Sequence, residues 1–185
     1  MLKEHGIETF EKALHSLDKS LGNLGKRITV RAIGGFVMLY KGATEHGFTI
    51  DIDSLTEEYD QDVKEAIRVV GREYDIDDEW LNNDCSFLEG FLDELATEIN
   101  WIKADYSFEN IDFYVADYIG MVKTKSKAIH DGGLVPRKTD KKDLLLLLKM
   151  EGIDTIDEVD KDERFGFIKD KYERTYDFLN GMKTW

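Results

Sequence analysis

The chain is poor in cysteine, proline and positive charge, and it has no long apolar run. One cysteine, Cys85, among 185 residues excludes an internal disulfide. It also excludes thiolate-rich zinc sites and iron–sulfur ligation built from this chain alone. One proline, with 42% apolar and 35% charged residues, is an ordered composition rather than a fibrous or disordered one. The longest apolar stretch, the leucines at 144–148, falls far short of the roughly 20 residues that a spanning helix needs. The opening Met-Leu-Lys-Glu-His lacks the apolar core of a signal peptide, so the expected location is cytoplasmic, with no membrane partner. There are 25 basic residues against 39 acidic ones, a formal net charge of −14. Non-specific adhesion to nucleic acid or to an anionic membrane is therefore excluded as the main activity. The four histidines, His5, His15, His46 and His130, show no metal-binding spacing such as His-x-x-x-His.

What is present is a chain long enough for one domain with its own core, or a domain with an appendage. Ile7, Phe10, Ala13, Leu14, Leu17 and Leu21 recur at helical spacing and predict a helix over 7–20, with a turn at Gly22 and Gly25. Residues 28–33 alternate as a strand that Gly34-Gly35 ends, and 36–41 predict a short apolar helix. A second strand is expected at 48–52 and helices at 58–70 and about 87–95, the latter capped by Asp84 or Ser86. Residues 99–104 and 111–116 predict two antiparallel strands. Asp117 is expected to cap a helix to about Ile129, Thr139 one to Met150, and Thr155 with Glu158 a short turn. A longer helical signal runs over 163–179. This order predicts an α+β fold: a sheet module over 1–116, and a helical C-terminal region over 117–185 packed on it as one compact unit.

The most informative chemistry lies in Ile33-Gly34-Gly35-Phe36 and in Thr49-Ile50-Asp51-Ile52-Asp53. Strand alternation puts Asp51 and Asp53 on one face and Ile50 and Ile52 on the other. Adjacent carboxylates repel unless they face water or share a cation. Mg²⁺ takes oxygen ligands and commonly combines one or two carboxylates with phosphates. Two such ions roughly 3.5–4 Å apart can activate an attacking oxygen and neutralise a leaving one. Glycine at a strand-to-helix junction lets the backbone approach a ligand, and the free N–H groups of the following helix suit a phosphate. Either feature alone is ordinary, since Asp-x-Asp arises readily among 39 acids and Gly-Gly often marks only a turn. Their joint placement favours a site.

These two segments resemble the signature of the polymerase-β-like nucleotidyltransferase superfamily, near the minimal enzymes related to the abortive-infection and toxin–antitoxin nucleotidyltransferases. Trp80-Leu81-Asn82-Asn83-Asp84 is similar to a segment of one of their uncharacterised subgroups. Residues 118–125 and Arg137-Lys138-Thr139-Asp140-Lys141-Lys142-Asp143 resemble its lysine-bearing helix and its Arg/Lys-x-x-Asp helix start. The resemblance covers residues 28–150. It implies a small mixed sheet of the nucleotidyltransferase type with flanking helices. It also implies that Gly34, Gly35 and Thr49 hold a nucleotide's phosphates and that Asp51 and Asp53 bind Mg²⁺. A third acid from a neighbouring strand would be Asp112, set in Ile111-Asp112-Phe113, with Asp105 as the fallback. Related proteins carry an arginine shortly before Thr-x-Asp-x-Asp. Here Glu45-His46-Gly47-Phe48 has none, and His46, mostly neutral near pH 7, replaces only part of that role.

Residues 121–142 carry Lys123, Lys125, Lys127, Arg137, Lys138, Lys141 and Lys142 against Asp131 and Asp140. Lys123 and Lys127 share a helix face and are the preferred phosphate contacts, because their helix follows the Asp112 strand. The alternative is a solvated face that offsets the acidic remainder. Thr139, Asp140 and Asp143 are expected to cap and orient a helix, Cys85 to be half-buried beside a helix start, and Trp80 and Trp101 to be core or interface residues. Tyr172, Tyr176, Phe178 and Leu179 form a packing face of the last helix or a partner surface. The expected activity is transfer of a nucleoside monophosphate from an NTP, ATP first, to an acceptor hydroxyl. A protein or small-molecule acceptor is favoured over RNA, with a protein partner or a second copy of the chain completing the site. The alternatives are a non-catalytic, antitoxin-like or regulatory module that binds another protein, and an acidic metal-binding protein without nucleotide chemistry.

Overall fold

Alternation builds the centre of the sheet. In β1 (Ile28–Ile33), Ile28, Val30 and Ala32 are buried while Arg31 is exposed; in β5 (Ile111–Ala116), Ile111, Phe113 and Val115 are buried while Asp112 and Tyr114 are half-buried. The computed structural model describes residues 4–44, 47–132 and 138–182, the side chain of Lys138 excepted. The chain divides into two units, Met1–Ala116 and Asp117–Trp185. It is a mixed α+β structure, and no described helix is long and apolar enough to cross a membrane.

The first unit holds a five-stranded mixed sheet in the order β3-β2-β1-β5-β4, where β2 is Ile52–Ser54, β3 Leu81–Asn82 and β4 Trp101–Lys103. β1 runs parallel to β5 and antiparallel to β2; β2 is parallel to β3, and β4 antiparallel to β5. Helices α1 (Ile7–Leu24), α2 (Gly34–Tyr40) and α3 (Gln61–Glu73) pack further buried residues into the core. A chain of rings runs Trp80–Phe10–Phe36–Phe113–Tyr106, with centroids 5.5–6.3 Å apart and mostly edge-to-face, the arrangement that ring quadrupoles favour. The buried Trp80 indole N–H donates to the Ile67 carbonyl at 2.8 Å, so Trp80 is a core residue.

Several elements differ from the sequence expectation. α1 continues through Gly22 and stops at Gly25, whose φ of 62° makes the left-handed cap. α3 likewise runs past Gly71, where a Cβ would fall 2.5 Å from the Asp77 carbonyl; the glycine is there for close packing. The strand expected at 48–52 lies further on, at Ile52–Ser54, and only an isolated bridge to His5 remains at Thr49. The helix expected at 87–95 is broken by Gly90, with φ 71°, into a 3₁₀ turn (Asp84–Phe87), a π-helical turn (Phe91–Leu95) and the short α4 (Ala96–Glu98). Phe87 and Leu88 are left exposed.

The second unit is helical: α5 (Tyr118–Asp131), α6 (Lys138–Met150), α7 (Ile156–Lys161), α8 (Gly166–Lys171) and α9 (Glu173–Asn180). Asp117 caps α5 by accepting from the Gly120 N–H at 2.6 Å, and Thr155 with Glu158 forms a full capping box at α7. Thr139 lies inside α6, not at its cap. The long helical signal over 163–179 is interrupted at Tyr172, whose φ of −124° and ψ of 62° leave the helical region. Its ring sits against Phe167 and His130.

α5 is joined to α9 by the Thr175 hydroxyl donating to the Ser126 carbonyl at 2.7 Å, and to α6 by Lys125. The buried Lys125 ammonium lies 2.8 Å from both Asp140 and Asp143. Burial alone would pull its pKa down, but the attraction of the two carboxylates prevails and the pKa lies above the ordinary value. Replacing Lys125 by Met leaves two carboxylates without their cation. We expect a loss of about 3–5 kcal/mol, read as a lowered midpoint in urea unfolding. Because the native pKa is raised, the wild-type contribution is complete below about pH 10.4 and fades as pH climbs through the native value. The Met variant should lack this alkaline fall.

Candidate functional site

The site grows from the register of β1 and β2. Ile33, the last residue of β1, pairs with Asp53, and the chain then turns at Gly34 into α2. Gly34 has φ 71°, a conformation that glycine takes without the steric cost other residues meet. A Cβ there would lie 2.7 Å from Asp53 Oδ2, and a Cβ on Gly35 would lie 2.5 Å from Thr49 Oγ1. The two glycines are therefore required by close approach to two of the predicted site residues. The structure brings Gly34, Gly35, Thr49 and Asp53 together. α2 starts at Gly34 rather than at Phe36, so both glycines belong to its first turn.

Thr49 is held from its other side. The His5 N–H donates to the Thr49 carbonyl at 2.7 Å, and the Thr49 N–H returns a bond to His5 at 3.0 Å. Its hydroxyl reaches the Asp51 carbonyl at 3.4 Å. Asp53 meets a third element, since β3 pairs Asn82 with it, which puts the two side chains on one face. The Cys85 thiol donates to Asp53 Oδ1 at 3.6 Å. Burial, then the charge and hydrogen bond of Asp53, then the charges of Asp51 and Asp84 push this thiol up to about 12. Asp51, Asp53 and Asp84 thus act on one thiol.

Asp112 is not at this place. It pairs with Thr29, whereas Asp53 pairs with Ile33, four residues further along β1 (33 − 29). At about 3.3 Å per residue that is roughly 13 Å, and β1 lies between the two strands. Asp112 instead takes a two-pronged contact from Arg27 at 3.1 and 3.2 Å, and those hydrogen bonds hold its carboxyl below the usual range. The fallback, Asp105, follows Ala104, whose N–H reaches Phe113, so it too lies toward the Asp112 end of β5. The next step of the β1–β5 ladder beyond Ala32–Val115 falls on Ala116, which bears no carboxylate. Among the described residues, no group of three or more His, Cys, Asp and Glu side chains is placed to hold a metal ion.

Lys123 and Lys127 belong to the second unit. There Lys123 lies over the Phe167 ring at 5.4 Å, and Lys127 pairs with Asp131 at 2.8 Å. His46 and Arg137 fall outside the described residues. Trp101 carries the Arg31 guanidinium at 5.9 Å from its ring centre and donates its indole N–H to Ala96.

Asn82 was not expected beside Asp53, and Cys85, expected half-buried beside a helix start, is found so but with Asp53 as an unforeseen partner. β3 is two residues long, too short for alternation to announce it. The only signal was the Trp80–Asp84 segment that resembles a nucleotidyltransferase subgroup. No protein-family model matches the chain, nor does any curated protein or solved structure.

Chemically, the assembled groups are the Asp53 carboxylate, a hydroxyl and a stretch of backbone bare of side chains; Asp51 precedes β2 and is felt at the same thiol through its charge. Hard oxygen donors of this kind suit a hard divalent cation. Gly34→Ala forces a left-handed alanine, costing about 1–2 kcal/mol, and displaces Asp53. Thermal unfolding should register the loss, while the same change at the unobstructed Gly47 should be nearly silent. The raised Cys85 pKa keeps the thiol protonated across the neutral range. Its reaction with a disulfide reagent at pH 8 should run on the order of fiftyfold slower than that of a free cysteine, the loss of thiolate being partly offset by its greater nucleophilicity, and should accelerate in Asp53→Ala.

Proposed function

We propose that this chain is a nucleotidyltransferase-type protein whose first unit binds a nucleoside triphosphate with Mg²⁺ at Gly34, Gly35, Thr49, Asp51 and Asp53. The nucleotidyltransferase character of the sheet is part of the same proposal. The observation that carries it is the contact of the double glycine with Asp53 on one side and Thr49 on the other. It joins the two halves of the motif that the sequence separates by 17 residues (34 to 51). The donor set fits the ion: Asp51 and Asp53 offer two carboxylates, and triphosphate oxygens and water would complete the shell. When bound, Mg²⁺ supplies charge neutralisation at the phosphates.

Within this reading, Asp51 and Asp53 hold the ion, while the Thr49 hydroxyl and the bare backbone at Gly34–Gly35 orient the phosphates. An acceptor hydroxyl forms a bond to the α-phosphorus as the bond to the β-phosphate oxygen breaks, and pyrophosphate leaves. ATP is the first nucleotide to try. The acidic balance of the chain favours a protein or small-molecule acceptor over RNA, in a cytoplasmic setting, with a protein partner or a second copy of the chain completing the site.

One observation favours a second reading. Asp112 is held by Arg27 at the other end of β1, so no third carboxylate is assigned to take the acceptor's proton. A module that binds nucleotide or a partner protein without transfer needs no such group.

The test is calorimetric titration of ATP with Mg²⁺ into the wild type and into Asp51→Asn, Asp53→Asn. Metal-dependent binding weakened at least tenfold in the variant supports the site, and a search with labelled NTPs then separates transfer from binding. Absence of binding by any of the four NTPs at millimolar concentration overturns the nucleotide reading.

A further inference from the structure

We infer that Cys85 is a positioning residue, its S–H holding Asp53 Oδ1 so that Oδ2 is presented toward Gly34. Its use for ligand binding rests on the proposed nucleotide site; the contact itself rests on geometry. A carboxylate has two chemically equivalent oxygens. Here the two oxygens are distinguished. Oδ2 lies over Gly34, within 2.7 Å of where a Cβ would stand, and Oδ1 accepts from the thiol at 3.6 Å.

The placement of Cys85 is built by its neighbours. β3 ends at Asn82, yet the chain keeps hold of β2 and the residues after it. The Ser86 hydroxyl donates to the Ser54 carbonyl at 3.2 Å and accepts from the Thr56 N–H at 3.1 Å. The Asn83 amide donates to the Glu57 carbonyl at 2.9 Å. Asn82 closes the turn by accepting from the Asp84 N–H at 3.1 Å. None of these bonds involves Cys85, and together they fix the residue that lies over Asp53.

The chemistry of a thiol suits the position. A lysine or arginine here would neutralise the carboxylate and compete with a cation for it. A protonated thiol donates one weak hydrogen bond and brings no charge. It orients one oxygen without cancelling the negative charge that would attract a cation. Pre-setting the carboxylate removes a rotamer search at the moment of binding, which is how supporting residues raise affinity without touching the ligand.

The experiment combines a stability cycle with a binding series. Urea unfolding of the wild type, Cys85→Ala, Asp53→Ala and the double variant reads the contact without any ligand. Titration of ATP with Mg²⁺ into the wild type, Cys85→Ala and Cys85→Ser reads its use. We expect the two substitutions to be coupled by about threefold or more in the folding constant, the lower part of the range for the net worth of a hydrogen bond. We expect Cys85→Ala to weaken ATP binding by roughly five- to tenfold, with Cys85→Ser recovering most of it. Ser86→Ala should shift affinity in the same direction as Cys85→Ala, since it loosens the turn that places the thiol. Additive effects in the cycle overturn the contact, whatever ATP does. Coupling with unchanged affinity in Cys85→Ala overturns the positioning role. Coupling in a wild type that binds no nucleotide leaves the contact standing and overturns the proposed function instead.

Discussion

The first unit depends on a missing side chain. At position 34 a strand must become a helix while an aspartate of the neighbouring strand lies against the turn, and the space left between them is smaller than a methyl group requires. Glycine there meets two demands at once, the left-handed φ and the close approach. Everything around it follows from that contact. β1 can end at Ile33, opposite Asp53, α2 can begin immediately, and Phe36 on that helix can enter the ring chain that joins α1 to β5. A larger residue at 34 would hold a strained left-handed φ and push the Asp53 carboxylate off the turn, so the backbone of the turn and the place of that carboxylate are linked.

The elements that the sequence announced are those where one period dominates. β1 and β5 alternate cleanly and are observed with the bounds expected. The α5 cap at Asp117 and the capping box at Thr155 are local chemistry, legible in a few residues. What was not legible depends on partners distant in the chain. β2 begins where β1 and β3 accept its hydrogen bonds, not where its apolar residues begin. Gly22 and Gly71 read as breakers because their close neighbours, Asn110 and Asp77, cannot be seen from local spacing. The register between β1 and β5 decided the fate of Asp112, and no pattern within Ile111-Asp112-Phe113 encodes which residue of β1 it faces. Lys125 was passed over for its neighbours Lys123 and Lys127, although its spacing from Val122 and Ile129 places it on the buried face of α5.

Charge follows the same division between local pattern and distant partner. As composition, the basic segment reads as a single patch. In the structure, Lys125 is committed to two acids that follow it in sequence, Lys127 pairs with Asp131, and Lys123 lies over a ring. A run of like charges along a helix is thus divided among an internal clamp, a local pair and an aromatic contact. Each has a different dielectric surrounding and a different sensitivity to salt.

Ser86 has a further effect on how the molecule meets others. Beyond the two-residue β3, the outer edge of β2 would offer a bare carbonyl at Ser54 and a bare N–H at Thr56, the pair of groups that invites another chain to add a strand. One hydroxyl satisfies both. Alignment of a foreign strand at this point would first have to break those bonds, so the sheet is guarded against edge-to-edge association beside its carboxylates. Beside Asp53 the main chain at Ser54 and Thr56 is thus already engaged by a side chain of the same molecule.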